Sequence, residues 1–372
     1  MKIKTLKLHP VAVERQYGTV IAMEGGAAKR TVQKSFFFFV ELATDSGLTG
    51  WGEISDIEPK DLPKNAAEYG ELLSAFMVGR SPYDLQRMHR DFQEHFDVEG
   101  NSLAGYAVCA LDMAMYDLQG KAAKLPIYQL LGGAVRKDVK ISWVAYIREE
   151  LELIREEIRQ RCRQGFRAFK LKVGVDIDLD EQRLAIAREV AGKDVSFKVD
   201  ANAGWSVKDA VKNIRRLNKY RLDGVETPVP RENPADIAAV RKQVDVPILE
   251  HVHSLEYGLA LLKADAVDAF NLATTGAGGI WPARQIVDLA QAGKVGLLIG
   301  STVEMGPGTL AQLQLAATIP NLTLPSDLIG PGMYKHDVLK SPLRYREGKL
   351  DIPSGPGLGG EIDRQQLKKL SV

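Results

Sequence analysis

From about residue 138 the chain repeats one unit: a short apolar run, then a charged stretch with helical spacing. The runs fall at 140–145, 168–172, 196–200, 224–226, 247–250, 269–272 and 295–299, and 179–191 and 207–217 are two of the helical stretches between them. Spacings of roughly 25 to 30 residues suit βα units, because parallel strands need a crossover connection. Seven or eight such units predict an α/β fold closed into a TIM-like barrel. The alternative is a doubly wound open sheet, but no GxGxxG turn marks a dinucleotide site.

The first 130 or so residues have a different rhythm. Segments 2–13 and 35–43 read as strands, Asp45-Ser46-Gly47 as a turn, and 48–53 as the return strand. A helix is predicted over 103–123, with Ala107, Leu111, Ala114, Met115 and Leu118 on its apolar positions. Pro126 and Gly132-Gly133 then punctuate the chain. These features predict an α+β domain, and the tail from Leu343, strand-like at 349–352, is expected to return to it.

Charge narrows the function classes. A net charge of +1 and the lack of a Lys/Arg tract give no electrostatic case for nucleic acid. The apolar run 36–40 is far too short to span a bilayer, and the N-terminus lacks a signal-peptide core, so no membrane role and a cytoplasmic location are expected. Cys109 and Cys162 form no CxxC pair, which argues against a disulfide framework or a cysteine-rich zinc site.

Chemistry is expected where the strands end, since barrel enzymes collect catalytic groups at the C-terminal strand ends. Those ends carry Lys170 and Lys172, then Asp200 with Asn202, then Glu226, then Glu250-His251. One polar residue at a strand end is as easily a solvated cap. Three acids and two lysines on four successive strands point instead to a hard divalent cation held by oxygen. A like charge and a nearby metal disfavour the ammonium form of a lysine, which is how an amine becomes a general base. The pairing suits removal of a proton α to a carboxylate, where a metal neutralises the enediolate charge as it develops.

With these residues in place the chain resembles the enolase superfamily, specifically the mandelate racemase/muconate lactonizing enzyme group; lysine bases paired with magnesium are a known example there. The resemblance rests on Thr44-Asp45-Ser46-Gly47 with Gly50-Trp51-Gly52-Glu53, on Ala110-Leu111-Asp112-Met113-Ala114 with Tyr116-Asp117-Leu118-Gln119-Gly120-Lys121, and on Leu130-Leu131-Gly132-Gly133. Phe169-Lys170-Leu171-Lys172-Val173-Gly174, Val199-Asp200-Ala201-Asn202 and Glu226-Thr227-Pro228 complete it. It implies a modified TIM-type (β/α)7β barrel over 133–342 and an α+β capping domain over 1–132, completed by 343–372. It further implies Mg2+, with Mn2+ as the alternative, a small carboxylate substrate and a homo-oligomer. Lys172 would be the base and Lys170 would hold the substrate carboxylate. Asp200, Glu226 and Glu250 would hold the metal, while Asn202, His251, Glu304 and Trp51 would lie near the substrate. The loop from Met23 to Arg30, with Glu24, Lys29 and Arg30, would close over it.

Two departures matter. Relatives usually end the fifth strand in a carboxylate; here the sequence is Leu249-Glu250-His251-Val252-His253. Glu250 is expected as ligand because three oxygen donors suit magnesium, although strict register from Pro247 would put His251 there and shift the preference toward softer metals. Many relatives also carry a sixth-strand lysine, where this chain has Ala273. One-base chemistry is therefore expected, of muconate cycloisomerase type, with acid dehydration as the alternative. A racemase or epimerase using His251 or His253 as second base is a further reading, and a non-catalytic acid-binding barrel a fourth.

Overall fold

The computed structural model of the chain describes residues 1–28, 31–57, 66–96, 98 and 103–372. Strands β1 (Ile3–Thr19), β2 (Val32–Thr44) and β3 (Thr49–Ile57) form an antiparallel sheet in that order. All three run longer than their apolar patterns. The register of β1 on β2 shifts between Glu14 and Thr19, so backbone pairing carries the strand past its polar end. Helix Leu103–Ala123 lies against the sheet so closely that a Cβ on Gly52 would stand 1.8 Å from the Ala110 carbonyl oxygen.

The run 140–145 changes partner midway. Strand β4 (Asp138–Lys140) pairs antiparallel with the late strand β12 (Lys349–Asp351), while β5 (Trp143–Ala145) begins the large parallel sheet. That sheet continues through β6 (Ala168–Lys172), β7 (Ser196–Asp200), β8 (Gly224–Glu226), β9 (Ile248–His251), β10 (Ala269–Leu272) and β11 (Gly296–Ile299), hydrogen-bonded in sequence order.

An eighth position closes the curl. Residues 321–327 bridge β11 on one side, through Leu297–Leu322, and the link between β4 and β5 on the other, through Ile141–Ser326. Pro325 has no N–H to give to a ladder, so this segment pairs only at isolated bridges. The molecule is thus a (β/α)-type barrel with an antiparallel cap sheet. The C-terminal helix Arg364–Leu370 reaches β1, where Ser371 bridges Val11.

Candidate active site

Strand phase decides which side chains meet. Residues paired across neighbouring parallel strands share a face, and faces alternate along each strand. Lys170 pairs with Lys198 and Lys172 with Asp200; Asp200 pairs with Glu226, Glu226 with Leu249, Leu249 with Ala269, and His251 with Asn271. One inward set follows: Lys170, Lys172, Lys198, Asp200, Glu226, Leu249, His251 and Asn271, with Ala273 in the same phase just beyond β10. Leu249, Ala269 and Leu298 pack as a small apolar plug beneath the polar members of this set.

Glu250 is therefore out of phase. It turns to the outer side of the sheet, where its Oε1 accepts from the Thr227 hydroxyl at 2.9 Å and the His251 backbone N–H at 2.8 Å. Arg231 Nε lies 3.1 Å away. Burial pushes this carboxyl up to about 7 against the pull of Arg231. Asp200, Glu226 and His251 instead converge, each offering one ligand atom within 4.8 Å of the others. His251 Nε2 is 2.8 Å from Glu226 Oε1, and Asn271 Nδ2 is 3.5 Å from the same nitrogen. The structure thus turns Glu250 away from Asp200 and Glu226 and sets its histidine neighbour beside them.

Both lysines reach this cluster. Lys172 Nζ donates to Asp200 Oδ2 at 2.6 Å and to Asn202 Oδ1 at 3.1 Å. Lys170 Nζ lies 3.1 Å from Glu226 Oε1, 3.6 Å from Asp200 Oδ2 and 2.8 Å from Asp327 Oδ2. Burial works against the Lys170 ammonium, but Asp327, Glu226 and Asp200 outweigh it and hold its pKa well above the ordinary lysine value. Burial likewise opposes charge on Glu226, yet Lys170 and His251 hold that carboxyl well below its usual range.

The turns behind these side chains are held from outside the barrel. Arg183, fully buried on helix Ile177–Ala191, donates to the Lys172 carbonyl at 2.7 Å and to the Tyr146 carbonyl at 2.7 Å. Its neighbour Asp180 accepts the Gly174 N–H at 2.8 Å. Gly174 has φ +109°, and a Cβ there would stand 2.6 Å from the Ala201 carbonyl oxygen. Asn202, Ala203 and Thr227 also take positive φ, so three non-glycine residues at adjacent strand ends carry local strain.

Other expected residues lie elsewhere or are fully engaged. Trp51 packs in the cap sheet, 5.6 Å from the His9 ring with Arg364 above it. Glu304 has no exposed surface; Ser301, Thr302 and Gln312 donate to its carboxylate. His253 stacks on Tyr257 with ring centroids 4.9 Å apart. The turn Glu24–Gly26 does reach the mouth, since a Cβ on Gly26 would stand 3.2 Å from the Gly204 carbonyl and 3.3 Å from that of Gly174. Lys29 and Arg30 lie outside the described residues.

Sequence reasoning missed Asp327, Lys198, Arg183 and Asp180. Asp327 Oδ1 accepts from Lys198 Nζ at 3.0 Å while its other oxygen faces Lys170. It closes the segment 321–327 at the eighth barrel position, so the strand-end rule would have found it had that irregular segment been read as a strand.

A barrel with this cap, and with inward lysines facing acids at its strand ends, defines a class of barrel enzymes. Two family models match the chain, the mandelate racemase / muconate lactonizing enzyme N-terminal domain over residues 17–132 and the enolase C-terminal domain-like region over 153–366. The chain belongs to the enolase superfamily, in its muconate-lactonizing-enzyme-like group, and is an enzyme of the isomerase/lyase kind. It is similar to a chloromuconate cycloisomerase of Cupriavidus pinatubonensis, 31% identical over 89% of this chain and 90% of that protein. It is equally similar to the L-Ala-D/L-Glu epimerase of Bacillus subtilis, 31% identical over 89% and 91%. Among solved structures, a dipeptide epimerase from Enterococcus faecalis V583 complexed with Mg and L-Leu-L-Tyr superimposes with TM-score 0.85 at 27% identity, covering 97% of this chain and all of that one. No helix among the described residues is long and apolar enough to cross a membrane.

Proposed function

We propose that the chain abstracts the proton α to a substrate carboxylate with one base, Lys172, in a divalent-metal-dependent cycloisomerisation or β-elimination. The arrangement that carries this reading is asymmetric: Lys172 ends β6, and the inward position at the end of β10 holds Ala273, buried and without an ionisable group. In an eight-position barrel, strands four places apart stand opposite each other. A relative that racemises needs a proton donor on that second face; an alanine supplies none.

The residues fit a divalent cation. Asp200, Glu226 and His251 converge on one point, where two carboxylates and an imidazole offer three ligand atoms to one ion. Bound there, the ion would stabilise negative charge developing on the substrate carboxylate. Lys170, kept cationic by Asp327 and Glu226, supports the same charge from beneath. Lys172 takes the proton, and in an elimination returns it to the leaving group on the same face. Asn202, bonded to the Lys172 amine, keeps that amine at the mouth.

A two-base reaction with histidine is less well supported. His251 is in the acid cluster, and His253 stacks against Tyr257 beside Arg231. The test is solvent deuterium exchange over a panel of muconates, dipeptides, N-succinyl amino acids and β-hydroxy acids. One-base chemistry predicts label on a single face, abolished by Lys172→Ala. Deuterium in both product enantiomers would overturn it.

A further inference from the structure

Resting on that metal-dependent reading, we infer that His251 Nε2 is the third protein donor to the ion and that the site prefers a first-row transition divalent cation over Mg2+. Three observations carry this. First, the pairing of His251 with Asn271, and of Glu226 with Leu249, points residue 251 into the barrel and residue 250 away from it. A carboxylate could enter only by a one-residue slip of β9, which would also turn the buried Leu249 off the plug beneath the site.

Second, Glu250 is anchored where it stands. Thr227 Oγ1 and the His251 N–H donate to one oxygen, and Arg231 pairs with it. Swinging the carboxylate toward Asp200 would strand a half-buried guanidinium. Third, the nitrogen facing the acids is Nε2, 2.8 Å from Glu226 Oε1.

The donor set is thus two carboxylates and one imidazole. Imidazole suits the later first-row ions such as Fe2+, Ni2+ and Zn2+; Mn2+ binds it most weakly of that series, yet more readily than Mg2+, which favours oxygen and dehydrates reluctantly. Replacing a third carboxylate by a neutral ring also removes one negative charge from the site. That loss weakens a purely electrostatic ion most, since it gains least from the nitrogen lone pair.

The experiment uses the full chain stripped with a chelator and titrated calorimetrically with Mn2+ and Mg2+, with pulsed EPR on the Mn2+ form. The expected result is 14N coupling to Mn2+. The Mn2+/Mg2+ affinity ratio should be higher by about tenfold or more than in His251→Asp, which also loses the coupling. An unsubstituted chain without 14N coupling, or an equal ratio in both proteins, would overturn the inference. If Asp200→Asn then still abolished binding, the metal-dependent reading would stand alone. Binding unchanged in both Asp200→Asn and Glu226→Gln would overturn the two together. Should His251→Asp fail to fold, the presence or absence of 14N coupling in the unsubstituted chain decides by itself.

Discussion

The ends of β6 and β10 face each other across the barrel mouth and differ in chemistry and in support. The β6 end carries Lys172 and is clamped from the helix layer by Arg183 and Asp180. The β10 end carries Ala273 and is steadied from the cap: Thr274 N–H donates to Gln312, Gln312 donates to Glu304, and the helix Gly306–Ala316 that bears Gln312 is capped by Glu53 of β3, which accepts from Met305 and Gly308. An ionisable amine stands on one flank and a side chain with no ionisable group on the other. A barrel of near-symmetric units can therefore be one-sided in chemistry.

The comparison breaks most sharply at Lys172. Lys172→Ala should lower turnover by roughly a thousandfold or more, the order expected for removing a general base, with unchanged circular dichroism. An activity loss of only a few-fold would place the base elsewhere.

Arg183→Met tests the clamp and should cost roughly 3 to 5 kcal/mol in chemical denaturation, because it leaves Asp180 buried without its partner. Turnover should fall as well, since the Lys172 carbonyl loses its donor. A fully active variant of native stability would show that Arg183 merely fills space.

Ala273→Lys attacks the asymmetry itself. A second amine opposite Lys172 should introduce deuterium on the product face that the unsubstituted enzyme leaves unlabelled, at a low rate because the new side chain lacks placed partners. NMR of product formed in D2O reads this directly.

The smallest effect is the pH response of the cap latch. Burial pushes the Glu53 carboxyl from 4.5 up to about 8, despite the N–H groups of Gly308 and Met305. The folded chain then retains a proton that the unfolded chain releases, so this contribution to stability is full below about 4.5 and is lost as pH rises toward 8. Thermal unfolding followed from pH 5 to 9 should show that decline, and Glu53→Gln should flatten it.

Much of the site was legible because barrel enzymes place function at strand ends and strand ends are marked in sequence. Lys170, Lys172, Asp200 and Glu226 each close an apolar run, and they converge in space. Trp51 was legible only as part of a resembling motif, and its side chain belongs to the packing of the cap sheet. Arg183 and Asp180 gave no signal, since a charged residue on an amphipathic helix ordinarily faces water.

Sequence alone determined the succession of βα units, the two lysines, the two acids and the absence of a sixth-strand lysine, because these depend on local pattern and residue type. Only the tertiary structure turned Glu250 outward and set His251 beside Glu226, and only it put Asp327 against Lys170. The physical reason is that alternation along a strand has a period but no absolute phase. The inward face is set by the neighbouring strand, through the pairing of Glu226 with Leu249, and no stretch of β9 contains that information by itself.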